Sequence, residues 1–196
     1  LYRQQRGEVE IASKLSLELV DVADQQQDTV ISLQAHHASW TTAFRMGHFK
    51  ECYEHADQGI KLYQFKQHQS LIHTYGGHDT GVCCLHHSVI SRWVSGYPEQ
   101  ALIHAQQLQN LGTQIDHPFS QVHCLFFTAM INQILLNHEA VLKNALEAIH
   151  LCDQYRIAPQ YQLPCKVLVG WVKVKMGQTR KGIDEMREGL DIIQHE

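Results

Sequence analysis

The chain is poor in the residues that punctuate structure. Four Pro and 12 Gly in 196 residues leave little material for turns, so the elements must be long or the loops short, which favours helices. It is also poor in charge, at 18% Asp, Glu, Lys and Arg, and lacks a basic excess: 16 Lys and Arg stand against 20 Asp and Glu, a formal net charge of -4. That balance argues against the basic footprint of a nucleic-acid partner. No apolar run approaches the roughly 18 to 20 residues of a bilayer span. The polar opening, residues 1–10, lacks the apolar stretch of a signal peptide. No membrane partner is expected either. A hydrophobic content of 44% is that of a chain folding around a core, which excludes disorder.

The six cysteines, Cys52, Cys83, Cys84, Cys124, Cys152 and Cys165, form no C-x-x-C and no ladder of short spacings. No disulfide framework is therefore visible. Set in apolar helical patterns such as Gly81-Val-Cys-Cys-Leu-His-His87, they suit small buried hydrophobes in a reducing, cytoplasmic setting. Fifteen His are the compositional surplus. Protonating all of them would move the formal charge from -4 to about +11 across the imidazole range. The chain opens on Leu, which predicts a piece of a longer polypeptide.

One short signature recurs: a small, helix-terminating residue, four residues, then a small or apolar residue opening a helical face. Its instances are Gly7-EVEI-Ala12, Gly47-HFKE-Cys52, Gly96-YPEQ-Ala101, Asn137-HEAV-Leu142 and Gly177-QTRK-Gly182, at separations of 40, 49, 41 and 40 residues. A near-constant period of this length is the mark of stacked helical units. Upstream of each signature lies an apolar segment that ends there as a helix ends on a left-handed residue. Downstream lies an amphipathic one. Asp79 is the expected N-cap of a helix running to Ser95, and Pro98 suits the first turn of the next, to about Gln114. Asp116-His117-Pro118 reads as a cap and first turn before a helix over 122–136, followed by one from Ala140 to about Tyr155. Pro159 and Pro164 open the last upstream helix, which runs to Met176.

The pattern predicts an all-α chain of about nine antiparallel helices forming a single domain over 1–196. Its units are a partial one at 1–28, then 29–66, 79–115, 118–155 and 159–194, with a loop at 67–78 accounting for the long 49-residue interval. Because the chain starts inside a helix pair, an apolar end is exposed and some self-association is expected.

Gly47-His-Phe-Lys-Glu-Cys52, a G-x-[YF]-x-x-[AC] match, resembles the helix-to-helix turn of tetratricopeptide repeats, lengthened here from 34 to about 40 residues. The resemblance implies an α-α superhelix, a tetratricopeptide-like solenoid. Tyr75-Gly-Gly-His-Asp-Thr-Gly-Val-Cys-Cys84, followed by Trp93-Val-Ser-Gly-Tyr-Pro-Glu-Gln-Ala-Leu102, resembles segments of a bacterial family of large signalling proteins. In that family a class III adenylate or guanylate cyclase domain, or another effector, precedes a STAND-type ATPase and a C-terminal repeat region. Thr80 and Ser95 depart from that pattern where the family has Pro and Leu. The resemblance implies a sensor or scaffold end of a nucleotide-signalling protein. The chain itself carries no G-x-x-x-x-G-K-[ST] motif, and no catalytic residue and no cofactor are assigned.

In a tetratricopeptide register, His37, Thr41, Phe44 and Arg45 line a concave groove, continued by Cys83, His86, Ile90 and Trp93, then Phe127 and Trp171. Aromatic groups edged by Arg and His suit a protein or peptide partner, or another domain of the same chain. Tyr75, Gly76, Gly77, His78 and Asp79 form the loop and turn before the second complete unit, a place where inserted residues often bind. His78, Asp79, Cys83, Cys84, His86 and His87 also make the span 78–87 the alternative centre, a ligand or metal sensor. Cys83 with His86 or His87 shares one helical face, but no second C-x-x-C or H-x-x-x-H pair completes a tetrahedral set, so no metal is assigned. A third possibility is an inert spacer.

Overall fold

A computed structural model describes residues 2–75, 77–157 and 160–195, with side chains up to Leu190. Gly76 and Pro159, assigned above to the turn and to a helix start, lie outside the described residues. Among the described residues the regular structure is helical throughout. There are eleven α-helices: α1 Tyr2–Gln5, α2 Val9–Gln26, α3 Thr29–Arg45, α4 Phe49–Leu62, α5 Phe65–His68, α6 Thr80–Val94, α7 Pro98–Gly112, α8 Pro118–Ile134, α9 His138–Tyr155, α10 Gln162–Lys175 and α11 Thr179–His195. The count exceeds the expected nine because α1 and α5 are additional single turns of four residues each. A 3-10 turn over Gln69–His73 follows α5, so much of the expected loop at 67–78 is ordered backbone. Burial explains it: His68 and Ile72 are both inside, and the Gln64 N–H donates to His68 Nδ1 at 3.0 Å.

Five helices end on the same turn. The N–H groups of Gly7, Gly47, Gly96, Leu136 and Gly177 donate to the carbonyl three residues back, and the N–H of the following residue donates to the carbonyl five residues back. This is the Schellman arrangement, which satisfies carbonyls that a helix end would leave bare. It requires a left-handed residue, and φ is 76° at Gly7, 75° at Gly47, 84° at Gly96, 56° at Leu136 and 83° at Gly177. The fourth signature is therefore displaced by one residue: Leu136 takes the left-handed position, and Asn137 is the N-cap of α9, accepting from the Ala140 N–H at 3.2 Å. The separations become 40, 49, 40 and 41 residues. Five residues after each turn stands a buried residue, Ala12, Cys52, Ala101, Val141 or Gly182, so Val141 and not Leu142 is the fourth instance.

The chain divides into two compact units, Leu1–Leu111 and Gly112–Glu196. In the first, α3 packs on α2, α4 and α6, and α4 packs on α6. Asp28 caps α3 by accepting from the Val30 and Ile31 N–H groups at 2.8 and 2.9 Å. Removing a cap of this kind costs about 1 kcal/mol. Trp40 of α3 is fully buried, and Gly59 of α4 makes room for it: a Cβ there would stand 2.4 Å from Trp40 Cζ3. Gln4, also buried, donates from Nε2 to the hydroxyls of Thr41 and Thr42, which fastens α1 to α3. Arg92 of α6 reaches Asp57 of α4 at 2.6 Å and Gln100 of α7 at 3.1 Å, and lies over the Tyr53 ring. One guanidinium thus ties three helices together.

In the second unit α8 packs on α9 and α10, α10 on α9, and α11 on α10. Its core comprises Val122, Ala129, Val141, Ala145, Ala148, Cys152, Cys165, Leu168, Val169 and Val172. Small residues let backbones approach: a Cβ on Gly182 of α11 would lie 2.4 Å from the Gly170 carbonyl of α10. The cap of α8 is His117, whose ring nitrogen accepts from the Ser120 N–H at 3.4 Å, so the helix begins at Pro118, within the expected cap and first turn at 116–118 and ahead of the apolar run over 122–136. Pro164 sits inside the first turn of α10, where a missing N–H costs nothing.

Candidate functional site

The ten groove candidates fall into three classes. His37, Thr41, Cys83 and His86 are buried; Phe44, Ile90, Trp93, Phe127 and Trp171 are half-buried; Arg45 is exposed. Arg45 also donates to the Gln4 carbonyl at 3.2 Å, which positions it at the end of α3. Phe44 meets Phe49 and His87 edge-on at centroid distances of 5.8 and 5.0 Å. In the second unit, Phe127 contacts His123 and Phe126, and Trp171 contacts the His138 ring with Lys175 Nζ 5.7 Å from its centroid. The candidates that reach the surface are therefore mainly aromatic, with Arg45 the cation among them in the first unit.

The turn before α6 is built around Asp79. Its side chain is buried, accepts from the Val82 N–H at 3.0 Å and from the Tyr63 hydroxyl at 2.6 Å, and so caps α6 while holding the end of α4. Burial, reinforced by the adjacent Asp79 charge, pushes the Tyr63 phenol far above its ordinary value, so it stays a donor. Gly77 supplies a left-handed residue, φ 71°, and Tyr75 is exposed.

This turn brings His78 against α3. Its ring meets His37 edge-on at 5.4 Å, and His37 in turn stacks on Trp40 at 5.0 Å. Cys83, on the first turn of α6, completes the group: its sulfur lies 3.4 Å from His37 Nε2, 3.6 Å from His87 Nδ1 and 3.4 Å from the Trp40 indole nitrogen, which donates to it. Two overlapping sets of donors, His37 with His78 and Cys83, and Cys83 with His86 and His87, each have their donor atoms within 4.8 Å of one another. The span 78–87 singled out in the sequence contains four of these five residues. His37 joins them from 46 positions away; the register had assigned it to the groove, and no local spacing could have linked it to Cys83.

The environment keeps His37, His87 and the Cys83 thiol uncharged. Desolvation holds His37 well below the ordinary imidazole range, helped by the neighbouring His78 and His87, and holds His87 at about 4. Burial pushes the Cys83 thiol up to about 12 and that of Cys84 well above its usual value. Protonated thiols are poor nucleophiles, and the Cys84 S–H is engaged by the Gly81 carbonyl at 3.2 Å. The chemistry open to the cluster is donation of lone pairs to a cation or to a proton.

No family model matches the chain. Over 110 residues, 56% of this chain, it is 26% identical to an uncharacterized protein of Rhizobium meliloti (strain 1021). The matched stretch is 11% of that protein, so the chain spans only a small part of the length of the relative it matches. Among the described residues, no helix is long and apolar enough to cross a membrane.

Proposed function

We propose that the chain is a run of tetratricopeptide-like helical hairpins, stacked as a superhelix, that serves as an interaction and regulatory module of a larger cytoplasmic nucleotide-signalling protein. The observation that carries this reading is the fivefold recurrence of one turn with identical hydrogen bonds at separations of 40, 49, 40 and 41 residues. A chain that repeats its helix-to-helix turn builds the same hairpin again and again, and such arrays act mainly as extended binding surfaces. The short share of the longer relative that the chain covers supports a parent with further domains.

The partner is a peptide or a neighbouring domain of the same parent, gripped by aromatic groups and one cation. In the first unit Phe44, Arg45, Ile90 and Trp93 are accessible for this, and in the second unit, taken by itself, Phe127 and Trp171 are, while His37, Thr41, Cys83 and His86 are internal and act on the surface only by supporting it. Trp and Arg are the groups that dominate binding hot spots. Occupation of the surface alters the stacking of hairpins and so biases an attached ATPase or cyclase.

The test is capture by the purified protein of the remaining domains of its parent chain, comparing wild type with the double variant Arg45→Glu and Trp93→Ala. Loss of one hot-spot residue costs about 2 kcal/mol or more, roughly 30-fold in affinity. A variant that keeps its helical circular dichroism but binds at least 30-fold more weakly supports the surface. Equal affinity, or no binding by wild type, refutes it and leaves a spacer.

A further inference from the structure

The cluster around Cys83 has the make-up of a metal centre in its identity, its distances and its supporting hydrogen bonds. One sulfur and four imidazoles come from α3, the turn before α6, and α6 itself. A tetrahedral ion with bonds of about 2.0 to 2.3 Å holds its ligand atoms roughly 3.5 Å apart. The Cys83 sulfur stands 3.4 Å from His37 Nε2, and the donor atoms of His37, His78 and Cys83 all lie within 4.8 Å of one another.

The outer partners point the same way. His37 Nδ1 lies 3.3 Å from the Gln34 side-chain oxygen, His86 Nδ1 3.1 Å from the Val82 carbonyl, and His87 Nδ1 2.8 Å from the Cys83 carbonyl. An oxygen of this kind only accepts, so each of these imidazoles carries its proton on Nδ1 and its lone pair on Nε2. Donation of the second ring N–H to an oxygen is how metal-binding histidines are oriented and made more basic. For His37 the oriented lone pair faces the sulfur.

We infer that His37, His78 and Cys83 form a site for a single Zn2+ ion, with a water molecule from solvent as its fourth ligand. This reading goes beyond the interaction surface and does not depend on it. Mixed imidazole and thiolate donors in a tetrahedral cage are the ligand set of Zn2+, which takes no part in redox chemistry and needs no further reactant. On binding, the Cys83 S–H bond breaks, the proton leaves to solvent, and the sulfur lone pair enters the new metal–sulfur bond. Each histidine contributes a nitrogen lone pair and loses nothing. The ion pins the turn at His78 to α3 and α6 and thereby fixes the inserted segment between α4 and α6, the one place where the turn-to-turn interval is 49 and not about 40 residues.

The experiment is metal titration of the chelator-stripped protein, first with Zn2+ in competition with a chromophoric chelator, then with Co2+ as an optical probe. The expected result is one equivalent of Zn2+ per chain and, with Co2+, a tetrahedral spectrum containing a thiolate charge-transfer band. His37→Gln and His78→Gln should each weaken binding by more than the roughly 10- to 100-fold that loss of an outer partner costs. Cys83→Ser should abolish the charge-transfer band. His55→Gln should change nothing, since His36 and His55 form a separate pair with their Nδ1 atoms 2.9 Å apart. Absence of stoichiometric binding overturns the site, as does a Co2+ complex without thiolate character or undiminished affinity in both His37→Gln and His78→Gln. Should Cys83→Ser fail to fold, the wild-type Co2+ spectrum and His78→Gln decide. The failure of this site would leave the capture experiment on Arg45 and Trp93 untouched.

Discussion

Gly47→Ala and Leu136→Gly perturb the same turn in opposite senses, and the difference between them tests whether the turns are equivalent. At Gly47, φ is 75° and a Cβ would find no atom within 4 Å, so the cost of Ala is wholly conformational. A Cβ in the left-handed region costs about 1–2 kcal/mol, less the roughly 0.4–1 kcal/mol that Ala gains by restricting the unfolded chain. The net destabilisation is about 1 kcal/mol. Leu136 already carries that strain, at φ 56°, and is 65% exposed. Truncation to Gly forfeits about a third of the ~1.5–3 kcal/mol of a fully buried side chain and adds about 0.5–1 kcal/mol of backbone entropy, but it recovers the left-handed cost. These terms nearly cancel, so the variant should stay within about 0.5 kcal/mol of wild type. Leu168→Ala, in the core of the same unit at 5% exposure, should instead cost about 2–5 kcal/mol. Urea titrations followed by circular dichroism at 222 nm (about the usual helical minimum) report each change as a midpoint shift at unchanged slope. A loss above about 2 kcal/mol in Leu136→Gly, or none in Gly47→Ala, would refute the equivalence of the turns.

Two further outcomes follow from charge and burial. Asp57→Ala leaves the Arg92 guanidinium, 7% exposed, without its carboxylate; because Gln100, Ser88 and the Tyr53 face remain beside it, the cost should be about 2–3 kcal/mol, at or below the lower end for a broken buried pair. Adding Arg92→Met should recover part of that loss, and a double-mutant cycle showing simple additivity would count against the clamp. His36 and His55 are both held below the usual 6.5, chiefly by desolvation. The unfolded chain therefore binds more protons than the folded one below that pH, so stability is fully present above it and declines as pH falls through the imidazole range. His55→Gln should flatten the decline in urea midpoints between about pH 7 and pH 5; an unchanged slope would remove the pair as its source.

The helices and most of their ends are legible in the sequence because they depend on local chemistry. Asp28 and Asp79 cap α3 and α6 through their own side chains, and Gly7, Gly47, Gly96 and Gly177 occupy left-handed positions that other residues enter only with strain. The misplacement at the fourth turn has the same origin. Asn137 tolerates the left-handed region better than Leu136 does, but it is also the better N-cap, and the chain spends it on α9. The ordered stretch at Phe65–His73 is a different case, since His68 and Ile72 are drawn inside by packing that no local pattern encodes.

The cluster at Cys83 was half visible for a related reason. Periodicity places His37 and His86 at matching positions, each ten residues before a left-handed Gly, and a register alone reads equivalent positions as one lining of a groove. Depth is set by something else. Trp40 sinks fully into the notch left by Gly59, and its indole N–H reaches the Cys83 sulfur. His37 lies one helical turn before Trp40 and stacks on its ring, so the same notch that admits the indole carries the imidazole inward. A glycine on α4 thus decides that a histidine of α3 faces a thiol of α6. Filling the notch with Gly59→Ala would force Trp40 outward and separate His37 from Cys83 without altering either donor.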